Sequence, residues 1–397
     1  MKILILSHYF PPEVNAPAKR IYDHAKIFSD LGHEVTVITN FPNHPSGILF
    51  KGYKNKWVSQ NRTENINIIR VFSYLTPNKG FIKRSINYFI YMILSIVQGR
   101  RIKDTDIILA TSPQLLCGLS GMILSKIKKK PYIFEIRDIW PESIASLGLI
   151  SKKRLIFRIL KLLENKIINS AKMIITVTSG IDSYVKKIRP ENVKLITNGV
   201  VVSNYPIINK SKKIKKVTFA YVGTIGNAHN VNIILRAAEL LIDEENINFT
   251  IIGDGAEQQK IFEKASNLRN VKTIPLLSAK EVIKEIRTVD VGIVTLLNDP
   301  LWKDALPSKI FEFLILKKPI ILSIPYGQTT KMIKKNSCGI IAEVDNPDSL
   351  VNCIKYYTNK PKLREIHGAN GRKLVKNNFN RKKLGEELLG YIEKIVS

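Results

Sequence analysis

Short, nearly uninterrupted apolar runs recur along the chain, each followed by a stretch with helical spacing. Lys2–Ser7, Glu34–Thr39, Ile66–Phe72, Ile107–Ala110, Tyr132–Ile136, Met173–Val177 and Lys194–Ile196 read as short buried strands. Ala18–Leu31 reads as a helix that Gly32 stops, since glycine readily takes the left-handed conformation that closes helices. The pattern restarts at Val217–Val222 and continues through Asn248–Ile252, Val271–Ile274, Val289–Val294 and Ile320–Ser323. Helical stretches at Asn232–Leu241, Ala256–Ser266 and Ala279–Thr288 separate these strands. Strand–helix alternation of this kind predicts parallel, doubly wound sheets. The fold class is therefore α/β, with two Rossmann-like domains.

Between the halves, Ser203–Lys216 holds Pro206 and five lysines without a strong period, and reads as a linker. The expected organisation is a first domain over 1–202, a linker over 203–216 and a second domain over 217–375. A final helix over 376–397 follows, with Leu384, Leu388, Leu389 and Ile392 on one face. That face suits docking on the first domain or an ordinary amphipathic surface helix. From Asp348 onward the reading is several helical pieces, broken at Pro361 and Gly368.

The length of 397 residues supports two domains. Against 33 acidic residues stand 62 Lys and Arg, a net charge of +29. Such an excess points to polyanionic partners or an anionic membrane surface, or in part to a general enrichment in lysine. Cys117, Cys338 and Cys353 show no metal-like spacing, so reduced, buried thiols are expected rather than a disulfide framework or a zinc site. Met1–Ser7 leads into Pro11-Pro12 with no small-residue cleavage site, and reads as a first strand rather than a signal peptide. No apolar run reaches the ~18–20 residues of a membrane span. The run Ile86–Val97, flanked by Lys83, Arg84, Arg100, Arg101 and Lys103, suits either a helix lying in a lipid interface or one buried in the first domain. Ser151–Ile168 is a second basic amphipathic stretch.

Candidate chemistry gathers where strands end. Gly223-Thr224-Ile225-Gly226-Asn227 follows a strand and precedes a helix, a place where backbone can approach a diphosphate, though a plain turn fits the same residues. Gly253-Asp254-Gly255 closes the next strand as a tight turn. Neither cluster completes Gly-x-Gly-x-x-Gly, which disfavours a nicotinamide dinucleotide. Asp304 and Glu312 lie on either side of Pro307-Ser308-Lys309. Ser and Glu favour any helix N-terminus, so the segment also suits a purely structural role. In the first half, Glu135-Ile136-Arg137-Asp138-Ile139-Trp140-Pro141-Glu142-Ser143 places charge at the carboxyl end of a strand, where open α/β sheets bind ligands.

Together these segments resemble the retaining GT-B glycosyltransferases of family 4, over nearly the whole chain. Asp304-x7-Glu312 resembles that family's Glu-x7-Glu pair, and Arg137-Asp138-Ile139-Trp140-Pro141-Glu142-Ser143 resembles the motif of its polysaccharide branch, the O-antigen and capsule enzymes, including N-acetyl-fucosamine transferases. Thr197-Asn198-Gly199-Val200 resembles the turn leading out of the first domain. The resemblance implies an interdomain cleft and a UDP-sugar donor, an N-acetylated amino sugar among the candidates. Its implied acceptor is a polyprenyl-diphosphate-linked saccharide at the cytoplasmic face of the inner membrane. Asp138, Asp304 and Lys309 are implied as catalytic. Gly223, Gly226, Asn227, Ser308, Lys309 and Glu312 are implied to bind the donor, and Asn15, Arg137 and Glu142 to face the acceptor. Asp304 would hold the sugar hydroxyls, Glu312 the ribose and Lys309 the diphosphate. Metal-independent transfer without a cofactor is expected, and no Asp-x-Asp lies in a plausible loop.

Three departures stand out: His229 and Asn230 where many relatives carry Arg and Lys, Arg137 where others carry His, and Asn15-Ala16 where glycine is common. Asn15 is expected to tolerate a positive φ there. Two other functions compete: a UDP-sugar 2-epimerase on the same fold, and a basic nucleic-acid-binding protein. The dispersed lysines and the lack of a nucleic-acid module speak against the latter, so no nucleic acid is expected as a partner.

Overall fold

The computed structural model describes all residues except 78–80, 147–149, 152 and 207–215. Most of the expected linker, 203–216, thus lies outside the described residues, as does Lys152 of the second amphipathic stretch. The chain forms two compact units, Met1–Asn198 with Lys382–Ser397, and Gly199–Arg381.

In the first unit the elements run β1 (Lys2–Ser7), α1 (Ala16–Asp30), β2 (Glu34–Asn40), β3 (Val58–Thr63), β4 (Ile66–Val71), α2 (Phe81–Arg101) and β5 (Ile107–Thr111). They continue with α3 (Leu115–Lys128), β6 (Tyr132–Ile136), α4 (Glu142–Ser146), α5 (Leu155–Ser170), β7 (Met173–Thr176), α6 (Ser179–Ile188) and β8 (Val193–Leu195). The sheet order is β3-β4-β2-β1-β5-β6-β7-β8. Every pairing is parallel except that of β3 with β4. The sheet is apolar on both faces because helices cover both. Leu4 and Leu6 of β1 join a core with Tyr91, Leu115 and Ile167, whereas Ile3 and Ile5 join one with Ile21, Phe28, Leu388 and Ile392. This explains why the strands read as continuous apolar runs rather than alternating ones.

The second unit runs β9 (Val217–Val222), α7 (Asn232–Leu240), β10 (Ile247–Ile252), α8 (Gln258–Ala265), β11 (Val271–Ile274), α9 (Ala279–Thr288) and β12 (Val291–Thr295). Then come α10 (Lys309–Ile315), β13 (Ile320–Ser323), α11 (Gln328–Lys335), β14 (Gly339–Ile341), α12 (Pro347–Thr358) and α13 (Pro361–Asn378). Its sheet is wholly parallel, in the order β11-β10-β9-β12-β13-β14. The order reverses between β9 and β12, and ligands of open α/β sheets settle at such a reversal, beyond the carboxyl ends of the strands.

The last helix, α14 (Arg381–Val396), places Leu388, Leu389 and Ile392 in the first unit's core, with Leu384 packed against it. The expected break at Gly368 does not occur. Pro361 opens α13, as proline at a first helical position should, but the helix runs through Gly368 to Asn378. Glycine stands there because a Cβ would come within 2.1 Å of the Lys317 carbonyl oxygen.

Helix α2 accommodates both readings of its apolar run. Tyr88, Tyr91 and Leu94 are buried on one face, while Ile82, Phe89, Ile93 and Val97 on the other are 74%, 53%, 42% and 39% exposed. No helix among the described residues is long and apolar enough to cross a membrane.

Candidate active site

In the second unit the site starts at the end of β9. Gly223 has a φ of +136°, and a Cβ built on it would lie 3.0 Å from Lys309 Nζ. Lys309 is the first residue of α10, so the helix start aims its ammonium across the glycine loop. There it donates a 2.7 Å hydrogen bond to the Tyr221 hydroxyl and lies 4.0 Å from the centre of that ring. Burial pushes the Tyr221 phenol up, so it keeps its proton and donates to the Thr224 carbonyl at 2.5 Å. Desolvation lowers Lys309 to about 7, against the opposing pull of Glu312. A half-buried lysine with a neutral hydroxyl as its nearest partner suits an arriving anion.

The Gly253 turn braces this loop from below. Gly223 N–H donates to Ile252 at 2.9 Å and Ile225 N–H to Asp254 at 2.8 Å. No side chain fits at Gly253, where a Cβ would meet the Gly223 carbonyl oxygen at 1.8 Å. Glu312 lies one turn along α10 from Lys309 and accepts a hydrogen bond from Tyr205 at 3.3 Å. Asp304 is exposed in the loop before α10, Ser308 caps that helix without a side-chain hydrogen bond, and Asn227 is exposed after Gly226. The structure thus gathers Gly223, Gly226, Lys309 and Glu312 around one strand end, with Asp304 and Ser308 on the loop into α10.

In the first unit, Arg137 and Asp138 follow β6. Arg137 reaches Glu135 at 3.8 Å, and its Nη1 has no hydrogen-bond partner among the described residues. Desolvation lowers the Arg137 guanidinium to about 10, with Glu135 pulling the other way. Glu135 itself is fully buried and grips Arg20 at 2.8 Å. Burial pushes its carboxyl up, but Arg20 and Arg137 overcome that and hold it at about 2. Asp138 is exposed. Desolvation by the surrounding chain pulls its carboxyl upward, but a side chain that reaches water keeps its charge at neutral pH.

Glu142, expected to face an acceptor, is engaged elsewhere: Lys161 donates to it at 2.7 Å and Tyr184 at 3.2 Å. Both of those groups also hold Glu164, so Glu142 ties α4 to α5 and α6. Asn15 has an ordinary φ of −76° and caps α1, accepting from Ala18 N–H at 2.9 Å. The positive φ expected there is absent, because capping needs an extended residue.

Sequence reasoning missed a small, partly open pocket in this unit, lined by His8, Tyr9, Glu13, Asn40, His44, Arg84 and Asn87 among others. His8 follows β1 at the point where this sheet's order also reverses, a place that the strand order reveals and no local sequence pattern marks. Desolvation holds His8 at about 3, helped by His44 and Arg84, so the ring is neutral. The amide nitrogen of Asn40 lies 3.0 and 3.2 Å from its ring nitrogens. The buried Oδ1 atoms of Asn40 and Asn87 have no partner among the described residues, and so are free to accept hydroxyls. Arg84 brings a cation to the lining and is held by the Tyr88 hydroxyl at 2.8 Å. Glu13 accepts the Asn43 and His44 N–H groups at 3.0 Å each, yet burial pushes its carboxyl up to about 7. Among the described residues no cluster suited to a metal ion occurs.

Comparison with known proteins agrees with this layout. Residues 18–204 match the family described as Glycosyltransferase Family 4, and residues 206–374 match Glycosyl transferases group 1. The chain is similar to the "Probable glycosyltransferase WbjE" of Pseudomonas aeruginosa, 24% identical over 66% of this chain and 68% of that one. It is also similar to the uncharacterized glycosyltransferase MJ1069 of Methanocaldococcus jannaschii, 21% identical over 100% of this chain and 99% of that one. Among solved structures, Anabaena HepE in complex with UDP superposes with a TM-score of 0.71 at 14% identity, covering 99% of this chain and 100% of that one. With two Rossmann-like units and two glycosyltransferase domains in succession, the chain is a glycosyltransferase of the GT-B fold.

Proposed function

We propose that the chain transfers a sugar from a UDP-sugar to a polyprenyl-diphosphate-linked saccharide, with retention of configuration, in O-antigen or capsule synthesis. The observation that carries this reading is the Lys309 ammonium poised over Gly223 at the strand-order reversal of the second unit. A nucleotide diphosphate fits there: loop amides meet the phosphates, and Lys309 stabilises the charge that grows on the leaving diphosphate without a metal. Glu312 accepts the ribose hydroxyls and Asp304 orients the transferred sugar, an N-acetylated amino sugar among the candidates. HepE, of the same fold, is described in complex with UDP, which supports the choice of nucleotide.

In the first unit, the pocket beside His8 offers amide acceptors and one guanidinium, a lining that suits a saccharide bearing an anionic group. Asp138, exposed after β6, is the carboxylate assigned to the acceptor hydroxyl. A lipid-linked acceptor requires approach to a membrane. The exposed apolar stripe of α2 is rimmed by Lys83, Arg100, Arg101 and Lys103. Helix α5 exposes Leu155, Ile156, Ile159 and Leu162 alongside Arg154, Arg158 and Lys166. Basic residues around apolar side chains suit peripheral attachment to an anionic leaflet, here the inner face of the plasma membrane.

The test is a thermal-shift screen of nucleotide sugars. A ligand at 100 times its dissociation constant adds about 2.7 kcal/mol of stability. Stabilisation by UDP-sugars but not by GDP- or ADP-sugars is the expected result, and stabilisation by none of the uridine compounds would overturn the donor assignment.

A further inference from the structure

The glycine loop holds a second group that the donor reading does not use. His229 sits three residues after Gly226, its N–H donating to the Gly226 carbonyl at 2.9 Å and its own carbonyl accepting from the Thr295 hydroxyl at 2.5 Å. These bonds fix the backbone, so the ring stays beside the loop. A Cβ at Gly226 would lie 3.8 Å from Nδ1, which places the imidazole over the loop's second glycine. That Nδ1 is buried and has no hydrogen-bond partner among the described residues. A buried ring nitrogen without a partner is costly unless a ligand completes it.

Charge explains its resting state. From α10 the Lys309 ammonium acts on the ring, and Lys309 itself is held by the neutral Tyr221 hydroxyl of β9 and drawn by Glu312. Thr295, at the end of β12, adds no charge, and the nearby Asn230 is tied to Asp345 at 2.5 Å. Desolvation, then repulsion by Lys309, lowers the imidazole to about 4 against an opposing pull from the Gly226 backbone, so His229 rests neutral. A nucleoside diphosphate ester brings two negative charges to a loop whose nearby cation is Lys309. The field at the ring then reverses sign, and a proton from solvent becomes the second countercharge.

We infer that His229 takes up a proton when the diphosphate of a nucleotide sugar enters the glycine loop, making donor binding proton-linked and supplying the countercharge that a fixed cation would otherwise provide. The inference rests on the donor reading above and adds to it a residue and a pH dependence. No covalent step is involved: the proton comes from solvent and returns there when the diphosphate leaves.

Calorimetry in buffers of different ionisation enthalpy counts the protons exchanged on binding. UDP-glucose is the probe, because its esterified diphosphate keeps its charge across the range used. At about pH 6 Lys309 is already largely protonated and His229 is not, so uptake there reports the imidazole. Wild type should take up about half to one proton, and its affinity should rise by up to about tenfold per unit as pH falls from about 6.5 to 5.5, below the range in which Lys309 recharges on binding. His229→Gln should lose the uptake and flatten the slope, and His229→Arg should bind without uptake. Lys309→Met, the control, should keep the uptake at the same pH. Titration with UDP runs in parallel, where the difference between wild type and His229→Gln cancels the protons of the nucleotide's own terminal phosphate. Binding with equal uptake in wild type and His229→Gln, or with none in wild type, overturns the role of His229 while leaving the donor site intact. Binding of neither probe overturns both.

Discussion

Lys309→Met gives a sharp test of the donor site because stability and binding should move in opposite directions. The ammonium is half-buried, with its affinity for protons lowered to about 7 by desolvation. The unfolded chain, near the ordinary 10.5, holds the proton more tightly than the folded chain between about pH 7 and 10.5. Stability therefore rises with pH through that window, and below about 7 the full cost of burying the charge is present. Removing the amine removes that cost. The substitution also forfeits a hydrogen bond to Tyr221 and the ring contact, each worth about 1 kcal/mol. Tyr221 itself stays satisfied through Thr224. With the cost discounted for the side chain's partial contact with water, the net gain is on the order of 1 kcal/mol, a rise in Tm of about 2–4 °C for a unit of this size.

Binding shifts the other way. A charge-assisted hydrogen bond to phosphate contributes about 1.5–3 kcal/mol. At pH 7.5 the lysine must first be recharged, which costs about 0.8 kcal/mol for a value near 7. Lys309→Met should then weaken UDP by about 1–2 kcal/mol, roughly 5–30-fold, and leave uridine within about twofold. Calorimetry with UDP and uridine, beside thermal melts from about pH 6.5 to 9.5, gives every term. A variant that melts lower than wild type and loses UDP and uridine alike would show that Lys309 supports the loop rather than holding phosphate.

Other consequences follow from the same geometry. Glu312→Gln should weaken UDP by about 1.5–3 kcal/mol in calorimetry, since a neutral amide is a poorer acceptor for ribose hydroxyls while Tyr205 keeps an oxygen to bond; unchanged affinity would remove Glu312 from the site. Asp304→Asn should lower turnover with the natural donor more than UDP affinity, and shift stability by less than about 0.5 kcal/mol because Asp304 is exposed. Replacing Lys83, Arg100 and Arg101 with Glu should release the protein from anionic vesicles in flotation, each site being worth about 1 kcal/mol, with UDP binding intact; Arg84 is left in place because it lines the pocket. Glu13→Gln should flatten the pH dependence of stability between about 4.5 and about 7, where the raised carboxyl makes wild type lose stability as pH rises; unfolding curves at both ends of that window check the sign.

The strands that carry the fold were legible because their interior positions are apolar on both faces, as two-sided burial requires. Strands β3 and β14 were not legible. The first, Val-Ser-Gln-Asn-Arg-Thr, is an edge strand with its last four residues exposed, so burial leaves no mark on it. The second, Gly339–Ile341, opens on a glycine and leaves both isoleucines only half-buried, so no buried run marks it. Gly368 was misread because a glycine in a helix looks like a terminus until the backbone packed against it is known. The donor loop could be read because its glycines, Lys309 and Glu312 lie in two local motifs. The pocket beside His8 could not, since it joins the end of β1 to Arg84 and Asn87 on α2, some eighty residues later, and only the sheet order brings them together. Glu142 shows the converse: its motif was recognised, but the partners that occupy its carboxylate, Lys161 and Tyr184, come from helices that no local pattern links to it.

The net charge of +29 and the two strand-end sites share one electrostatic logic. His8 at about 3, His229 at about 4, Lys309 at about 7 and Arg137 at about 10 all bind protons less tightly than they would in water. In each case desolvation leads, and in both histidines and Arg137 a neighbouring cation adds to it. A general excess of lysine would put charge on the surface, where solvent screens it. It would not place desolvated basic groups, two of them neutral imidazoles, at the ends of central strands. Such groups are poor at stabilising an empty protein and well suited to anionic ligands, which restore the missing counterion in a setting where salt screens little. The surface lysines and arginines act at longer range, drawing anionic ligands and an anionic leaflet toward sites that keep their own charge in reserve. Added salt should therefore slow association with a nucleotide sugar more than it speeds dissociation, and stopped-flow rates at low and high ionic strength separate the two.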